Sequence, residues 1–354
     1  MRRVVMLGLA ALLLCGFTAG APMLSFDGAT RWINSPALEP SDLHGKVVLV
    51  DFWEYTCLNC LRTLPYLREW YKRYHQDGFV IIGVQTPEFA FSARPDQVEA
   101  ATERLDVTWP VAVDSNYTIW KRYGVDEWPT ELLFDQDGHL VDATMGEGGY
   151  PQTESRIQAL LKAANPSLSL PPVMALLPQD NYLIPGAVCY PHTPEILVAH
   201  TPIADAPTFG DPSTDLSYHD PGGNRRDGAL YLDGFWHAKP EAMAFGGGDG
   251  YLALSYRAIE VTVVMTPPNG KPGRVVVTQD GKPVPREDAG PDVRYDPSGA
   301  SYVDVDADRA YHVIENKVYG THDLRLSPSA YGLAIYDLDF ESCEVPGTHA
   351  SGSS

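Results

Sequence analysis

The chain has 354 residues, of which 44% are hydrophobic and 20% charged. That length exceeds what one hydrophobic core usually serves and favours two domains, while the apolar content excludes wholesale disorder. A formal net charge of −20, from 26 basic and 46 acidic residues, repels phosphates and anionic lipid, so nucleic acid is not an expected partner.

Met1–Ala21 opens with Arg2 and Arg3, runs apolar from Val4 to Phe17, and ends small in Thr18-Ala19-Gly20-Ala21. A basic start, a short apolar stretch and small residues form the secretory signal pattern, and the stretch falls short of the ~20 residues that span a bilayer. Cleavage is expected near Ala19–Ala21. Leu14 stands before Cys15 where a lipid-anchoring site needs a small residue. The expectation is an exported protein of the periplasm or cell envelope, where disulfides persist.

Residues 22–165 alternate strand and helix signals. Lys46–Trp53 is a continuous apolar run suited to a sheet covered on both faces. Asn59–Gln76 carries Leu64, Leu67, Trp70 and Tyr71 at helical spacing. Phe79–Val84 reads as a strand, and Asp96–Arg104 and Tyr117–Tyr123 as helices. Thr130–Phe134 and His139–Ala143 flank the turn signal Asp137-Gly138, and Glu154–Ala164 closes the unit as a helix. The expected class is α/β with a mixed sheet. Residues 166–180 hold several prolines without a period and read as a linker.

From 181 to 346 the texture changes to short alternating segments: Ala229–Trp236, Tyr251–Thr266, Arg274–Thr278, Ser301–Val305, Ala310–Ile314, and Leu324–Leu326 with Gly332–Phe340. Glycine- and Asn/Asp-Gly-rich turns separate them, which predicts an all-β antiparallel sandwich, jelly-roll-like. Residues 347–354 read as a disordered tail.

The chemistry sits in Cys57-Leu58-Asn59-Cys60, after a strand and at the opening of a helix. Free backbone N–H groups and the positive dipole end there stabilise a thiolate on Cys57. Cys60 lies one turn further in, within disulfide reach. Cys57 is expected to attack a partner's disulfide and Cys60 to resolve the mixed disulfide. A zinc site would need further ligands, and no second C-x-x-C exists; neither metal nor cofactor is expected.

Val47–Trp53 ahead of Cys57, Pro65 after Cys60, and Trp128-Pro129-Thr130 resemble the thioredoxin superfamily, which implies a thioredoxin-like fold for residues 22–165. The resemblance implies that Asp51 is the buried acid that relays the proton of the second thiol, and that Pro129 is the cis-proline of the substrate groove. Desolvation raises the pKa of such an acid toward neutrality. The long segment Thr86–Asp114 resembles the TlpA-like group. Trp53–Cys57 with Cys60–Pro65, Thr86–Phe91, and Gly146–Tyr150 resemble the exported C-terminal region of the DipZ family. There a thioredoxin-like domain precedes a carbohydrate-binding-module-like β domain. Here a signal segment stands where DipZ proteins carry a membrane electron carrier, so the resemblance implies a separate membrane donor of the DsbD/CcdA kind. Peroxiredoxins share the fold, but Val50 and Glu54 replace the Pro and Thr of their Pro-x-x-x-Thr-x-x-Cys pattern.

No cation lies between the cysteines to stabilise the Cys57 thiolate further, which makes a less oxidising couple. The expected activity is thiol–disulfide exchange, as a reductase or isomerase acting on envelope proteins with disulfides. The competing class is a non-catalytic envelope binding protein, with a glycan or protein ligand, on a thioredoxin scaffold.

In the β domain, Tyr231, Phe235, Trp236, Tyr251, Tyr256, Tyr311 and Tyr336 are candidates for stacking on a glycan, or for core packing. Cys189 and Cys343, near its two ends, form either a structural disulfide or two independent buried thiols. Asp304, Asp306 and Asp308 with Glu315 imitate a calcium loop, but Arg309 stands where the sharp turn needs glycine.

Overall fold

A run of β-branched and aromatic residues, Val47–Trp53, is buried at all seven positions and forms the centre of a six-stranded sheet. In chain order the first unit contains Arg31–Ile33 (β1), Val47–Trp53 (β2), Leu58–Tyr74 (α1), Phe79–Gln85 (β3), Pro95–Arg104 (α2) and Val111–Val113 (β4). Thr118–Tyr123 (α3), Thr130–Phe134 (β5), Leu140–Met145 (β6) and Tyr150–Ala164 (α4) follow. The spatial order is β1-β4-β3-β2-β5-β6. β2 runs parallel to β3 and antiparallel to β5, so the sheet is mixed. The computed structural model describes residues 17–177, 183, 187–204 and 215–344, and the chain divides into two compact units, Met1–Ala175 and Leu176–Ser354.

The core on one face of the sheet joins Val48, Val50 and Phe52 of β2 to Ile82, Val84, Leu132 and Phe134, with Ile119, Trp120 and Tyr123 of α3. Strand alternation turns Leu49, Asp51 and Trp53 to the other face. Two boundaries differ from expectation. α1 ends at Tyr74, with a short 3-10 turn over His75–Asp77. α4 begins at Tyr150, because Gly149 adopts φ 65 and starts the helix four residues before the apolar period shows. Most of the expected signal segment, residues 1–16, lies outside the described residues. Gly20 N–H donates to the Leu140 carbonyl, and Leu140 N–H to that of Ala21.

The second unit contains Val188–Cys189 (β7), Ile196–Leu197 (β8), Asp215–Tyr218 (β9), Tyr231–Ala238 (β10), Met243–Phe245 (β11), Tyr251–Thr266 (β12) and Gly273–Gln279 (β13). Lys282–Pro283 (β14), Arg294–Tyr295 (β15), Ser301–Val305 (β16), Arg309–Pro328 (β17), Ala334–Glu341 (β18) and Cys343–Glu344 (β19) complete it. Eleven of these strands form one antiparallel sheet in which β12 pairs with β10, β17 and β18. Its core gathers Trp236, Leu254, Tyr256, Val263, Tyr311, Leu326 and Phe340. Ala310–Ile314 and Leu324–Leu326, read as separate strands, are two ends of β17. The polar middle hides the continuity because it is solvent-facing, with Val318 72% exposed.

Of the proposed stacking aromatics, Tyr231, Trp236, Tyr256 and Tyr311 are buried and pack the core, so they are not available to a sugar. Phe235 is 53% exposed. Two aspartates of the calcium-like stretch are engaged with arginines: Asp304 with Arg274 and Arg294, and Asp306 with Arg309. The expected tail, 347–354, lies outside the described residues.

Cys189 and Cys343 are register partners on β7 and β19 and are joined by a disulfide across 154 positions of sequence. A loop of that length removes much entropy from the unfolded chain. Replacing both cysteines by serine is expected to lower the unfolding free energy of this unit by about 2–5 kcal/mol in urea titrations. An unchanged midpoint would show that the bridge does not restrain the chain.

Candidate active site

The buried strand β2 ends at Trp53, and a three-residue loop delivers Cys57 to the first position before α1. Cys57 has extended backbone geometry (φ −67, ψ 117), so its side chain folds over the open end of the helix. Its Sγ accepts the Cys60 amide at 3.3 Å and the Cys60 thiol at 2.7 Å. Both donors and the open helix end point at the Cys57 sulfur. Cys57 is half-buried, whereas Cys60 is buried. Burial pushes the Cys60 thiol well up, and its hydrogen bond to Cys57 and the Cys57 charge push it the same way. The two thiols are therefore unequal: the accessible one is set up as nucleophile, and the buried one stays protonated while Cys57 carries charge.

The loop itself is held by a residue to which the sequence reading assigns no role of its own. Glu54 is fully buried, and its Oε2 accepts the amides of Thr56 and Cys57 and the Thr56 hydroxyl. These bonds fix the turn that aims Cys57. Burial raises the Glu54 carboxyl, and the hydrogen bonds from Thr56, Ser92 and Cys57 oppose that rise. A Glu between a strand and a C-x-x-C is the signal that could have disclosed it.

Asp51 lies two residues before the end of β2, 1% exposed, and neither carboxylate oxygen meets a protein donor among the described residues. With nothing to offset desolvation, burial pushes its carboxyl from 3.8 to about 8. Its charge acts on Cys60. The Trp128–Pro129 bond is cis, and Pro129 precedes β5, whose first residue, Thr130, pairs with Phe52. Pro129 thus sits at the end of the sheet where β2 turns into the cysteine loop.

The three distinctive sequence stretches meet around this loop. Arg62 of α1 pairs with Glu147 at 3.4 Å, the Tyr66 and Tyr150 rings stack at 3.7 Å, and the Thr63 and Tyr150 hydroxyls lie 3.3 Å apart. From the long segment after β3, Phe91 approaches the Tyr55 ring at 6.3 Å. Asp135, Asp137 and His139 bring potential metal ligands within 4.8 Å of one another. They occupy the exposed β5–β6 turn, where Asp135 Oδ1 accepts the amides of Asp137 and His139, as such a turn requires.

Residues 23–143 match the AhpC/TSA family, and residues 206–340 match a thioredoxin-like C-terminal domain family. Protein DipZ of Mycobacterium tuberculosis is 34% identical over 287 residues, covering 80% of this chain and 39% of DipZ. The chain therefore spans about two-fifths of that relative's length. Thiol-disulfide oxidoreductase ResA of Bacillus cereus is 33% identical over 129 residues, covering 36% of this chain and 69% of ResA. Among solved structures, a thiol:disulfide interchange protein DsbE described for Chlorobium tepidum matches with a TM-score of 0.33 at 25% identity, over 35% of this chain and 86% of that one.

Asp51 carries a stability signature. Its carboxyl holds a proton in the folded state that the unfolded chain releases above 3.8, so its contribution to stability falls as pH rises from 3.8 through about 8. Asp51→Asn is expected to be more stable than the wild type above pH 8, by on the order of 5 kcal/mol at most. The gap should close as pH falls toward 4 in urea titrations. A gap independent of pH would contradict the burial argument.

Proposed function

The chain belongs to the thioredoxin superfamily, within its TlpA-like redoxin group, and on that premise we propose that it is an exported thiol–disulfide oxidoreductase that reduces or isomerises disulfides of envelope proteins. The observation that carries this reading is the inequality of the two thiols, with Cys57 accessible at the helix end and Cys60 buried behind it.

In the reductive direction the Cys57 thiolate attacks one sulfur of a substrate disulfide and forms a mixed disulfide, and the first substrate thiolate leaves. The negative charge on Cys57 is consumed at that step, which removes one cause of the raised Cys60 pKa. Cys60 then gives its proton to Asp51 and attacks the Cys57 sulfur. The mixed disulfide breaks, the second substrate sulfur departs as a thiolate, and Cys57–Cys60 is left oxidised. Two electrons pass from the dithiol to the substrate. Glu54 keeps Cys57 aimed throughout, and Pro129 shapes the groove for the substrate chain. A membrane donor of the DsbD/CcdA kind restores the dithiol.

The C-terminal unit is read as a binding module for a glycan. Two exposed rings support this, Phe235 and Tyr331, at 53% and 62% exposure. The Tyr331 ring lies beside Gly247, where a Cβ would meet it at 3.7 Å. Flat apolar ring faces of this kind stack on sugar C–H surfaces.

Insulin reduction by the full chain tests the catalytic reading. Cys57→Ser is expected to fall to background, and Cys60→Ser to accumulate mixed disulfides that separate on non-reducing gels. A Cys57→Ser variant as active as the wild type would refute it.

A further inference from the structure

The first unit buries five carboxylates: Asp51, Glu54, Asp114, Glu131 and Glu154. Three have protein donors. Glu54 holds the cysteine loop. Asp114 takes the amides of Thr118, Ile119 and Trp120 at 2.7, 3.0 and 2.8 Å. Glu154 accepts from Arg73, Tyr74 and Met174. Asp51 and Glu131 have none on any of their four oxygens among the described residues.

These two are direct register partners across the antiparallel β2–β5 pair. Side chains of such partners project from the same face of the sheet, with Cβ atoms about 4.5–5.5 Å apart. Glu131 is 4% exposed within a strand buried at every position. A carboxylate there costs several kcal/mol unless it is neutral or paired, and two ionised neighbours cost more.

Among the described residues no cation pairs with either. On the β3 side of Asp51 stands Gly83, where a Cβ would meet the indole nitrogens of Trp53 and Trp109 at 3.0 and 3.2 Å. Neither indole N–H meets an acceptor among the described residues. On the β6 side Glu131 faces Thr144, and the nearby Asp142 is engaged by Arg156 of α4 at 2.6 Å. From α1 and its loop come Cys60, whose thiol feels the Asp51 charge, Cys57 and the bonded Glu54. The charges that act on Glu131 are those of Asp51 and Asp142, both acidic.

We propose that Asp51 and Glu131 act as one carboxylate pair that holds a shared proton, and that Glu131 is a positioning residue setting the pH at which Asp51 accepts the Cys60 proton. This rests on the redox reading above. With one proton shared, the neutral carboxyl donates its O–H to the ionised neighbour, which satisfies both in a dry site. When Cys60 is called on, its S–H bond breaks, the proton moves to the ionised carboxylate, and the sulfur keeps the electron pair with which it attacks Cys57. The pair then carries two protons and no charge. It returns one when the next reductant regenerates the Cys60 thiol. Consistently, burial first, and then the Asp51 and Asp142 charges, push the Glu131 carboxyl well above the ordinary range.

Infrared difference titration of the protonated carboxyl band, run beside the pH profile of dithiol oxidation by a small disulfide, tests the pair in the full chain. The wild type should show two carboxyl steps separated by more than about one pH unit. Glu131→Gln and Asp51→Asn should each show one. In Glu131→Gln the midpoint of the oxidation profile should move down by at least about one pH unit, because the neighbouring like charge is gone. A glutamate with only a structural role would alter stability and leave that midpoint in place. Coincident profiles for wild type and Glu131→Gln overturn the pair, while normal exchange leaves the redox reading standing. A wild-type titration with both carboxyls ionising in the ordinary range overturns it without any variant. Two separated carboxyl steps in a chain inert to disulfides would support the pair and overturn the redox reading.

Discussion

The total burial of β2 is the constraint from which the site follows. A strand with no exposed position must lie in the interior of its sheet, with neighbours on both sides and cover on both faces. Its last residue therefore emerges at the sheet end beside the turn into α1, and the cysteines inherit that position. The same burial acts on Asp51, which meets no protein donor among the described residues to stabilise a charge. One structural fact thus places the nucleophile at a positive helix end and prepares a proton acceptor behind it.

Electrostatics then separates residues of the same type. Cys57 and Cys60 are three positions apart, yet one faces the helix end half-exposed and the other is sealed beneath it. The buried carboxylates divide in the same way. Asp114 and Glu154 are structural, because amides, a guanidinium or a phenol hold them in place. Asp51 and Glu131 have no such partners, and a buried acid without partners is poised to exchange protons. Glu54 stands between these cases: it is buried like them, yet its bonds to Thr56 and Cys57 shape the loop.

Much of this was legible in the sequence, and the residues show why. Val47–Trp53 reads as a buried strand because its apolar run is unbroken but for Asp51, and Cys57 and Cys60 are legible because their spacing and strand–helix context are local. The three distinctive stretches are separate in sequence, and only the fold shows Arg62, Thr63 and Tyr66 meeting Glu147 and Tyr150. Glu131 was not legible, since its significance lies in the β2–β5 register, which no local pattern states. In the second unit, the core aromatics could not be told from exposed ones by type: Phe235 and Trp236 are neighbours on one strand and point to opposite faces. The continuity of β17 was hidden for a related reason, because its middle carries the polar pattern of a solvent-facing strand.

The central claim is that Cys57 and Cys60 form one two-electron couple whose thiols act as a unit, apart from the Cys189–Cys343 bridge. Equilibration of the intact chain in thiol–disulfide buffers of graded potential, followed by alkylation and peptide mass spectrometry, tests this most directly. The account predicts that Cys57 and Cys60 lose their labels together along a single two-electron curve, at a potential well below the about −120 mV of a strong oxidant such as DsbA. Cys189 and Cys343 should stay unlabelled across that range. Independent labelling of Cys57 and Cys60, or a midpoint near −120 mV, would contradict it.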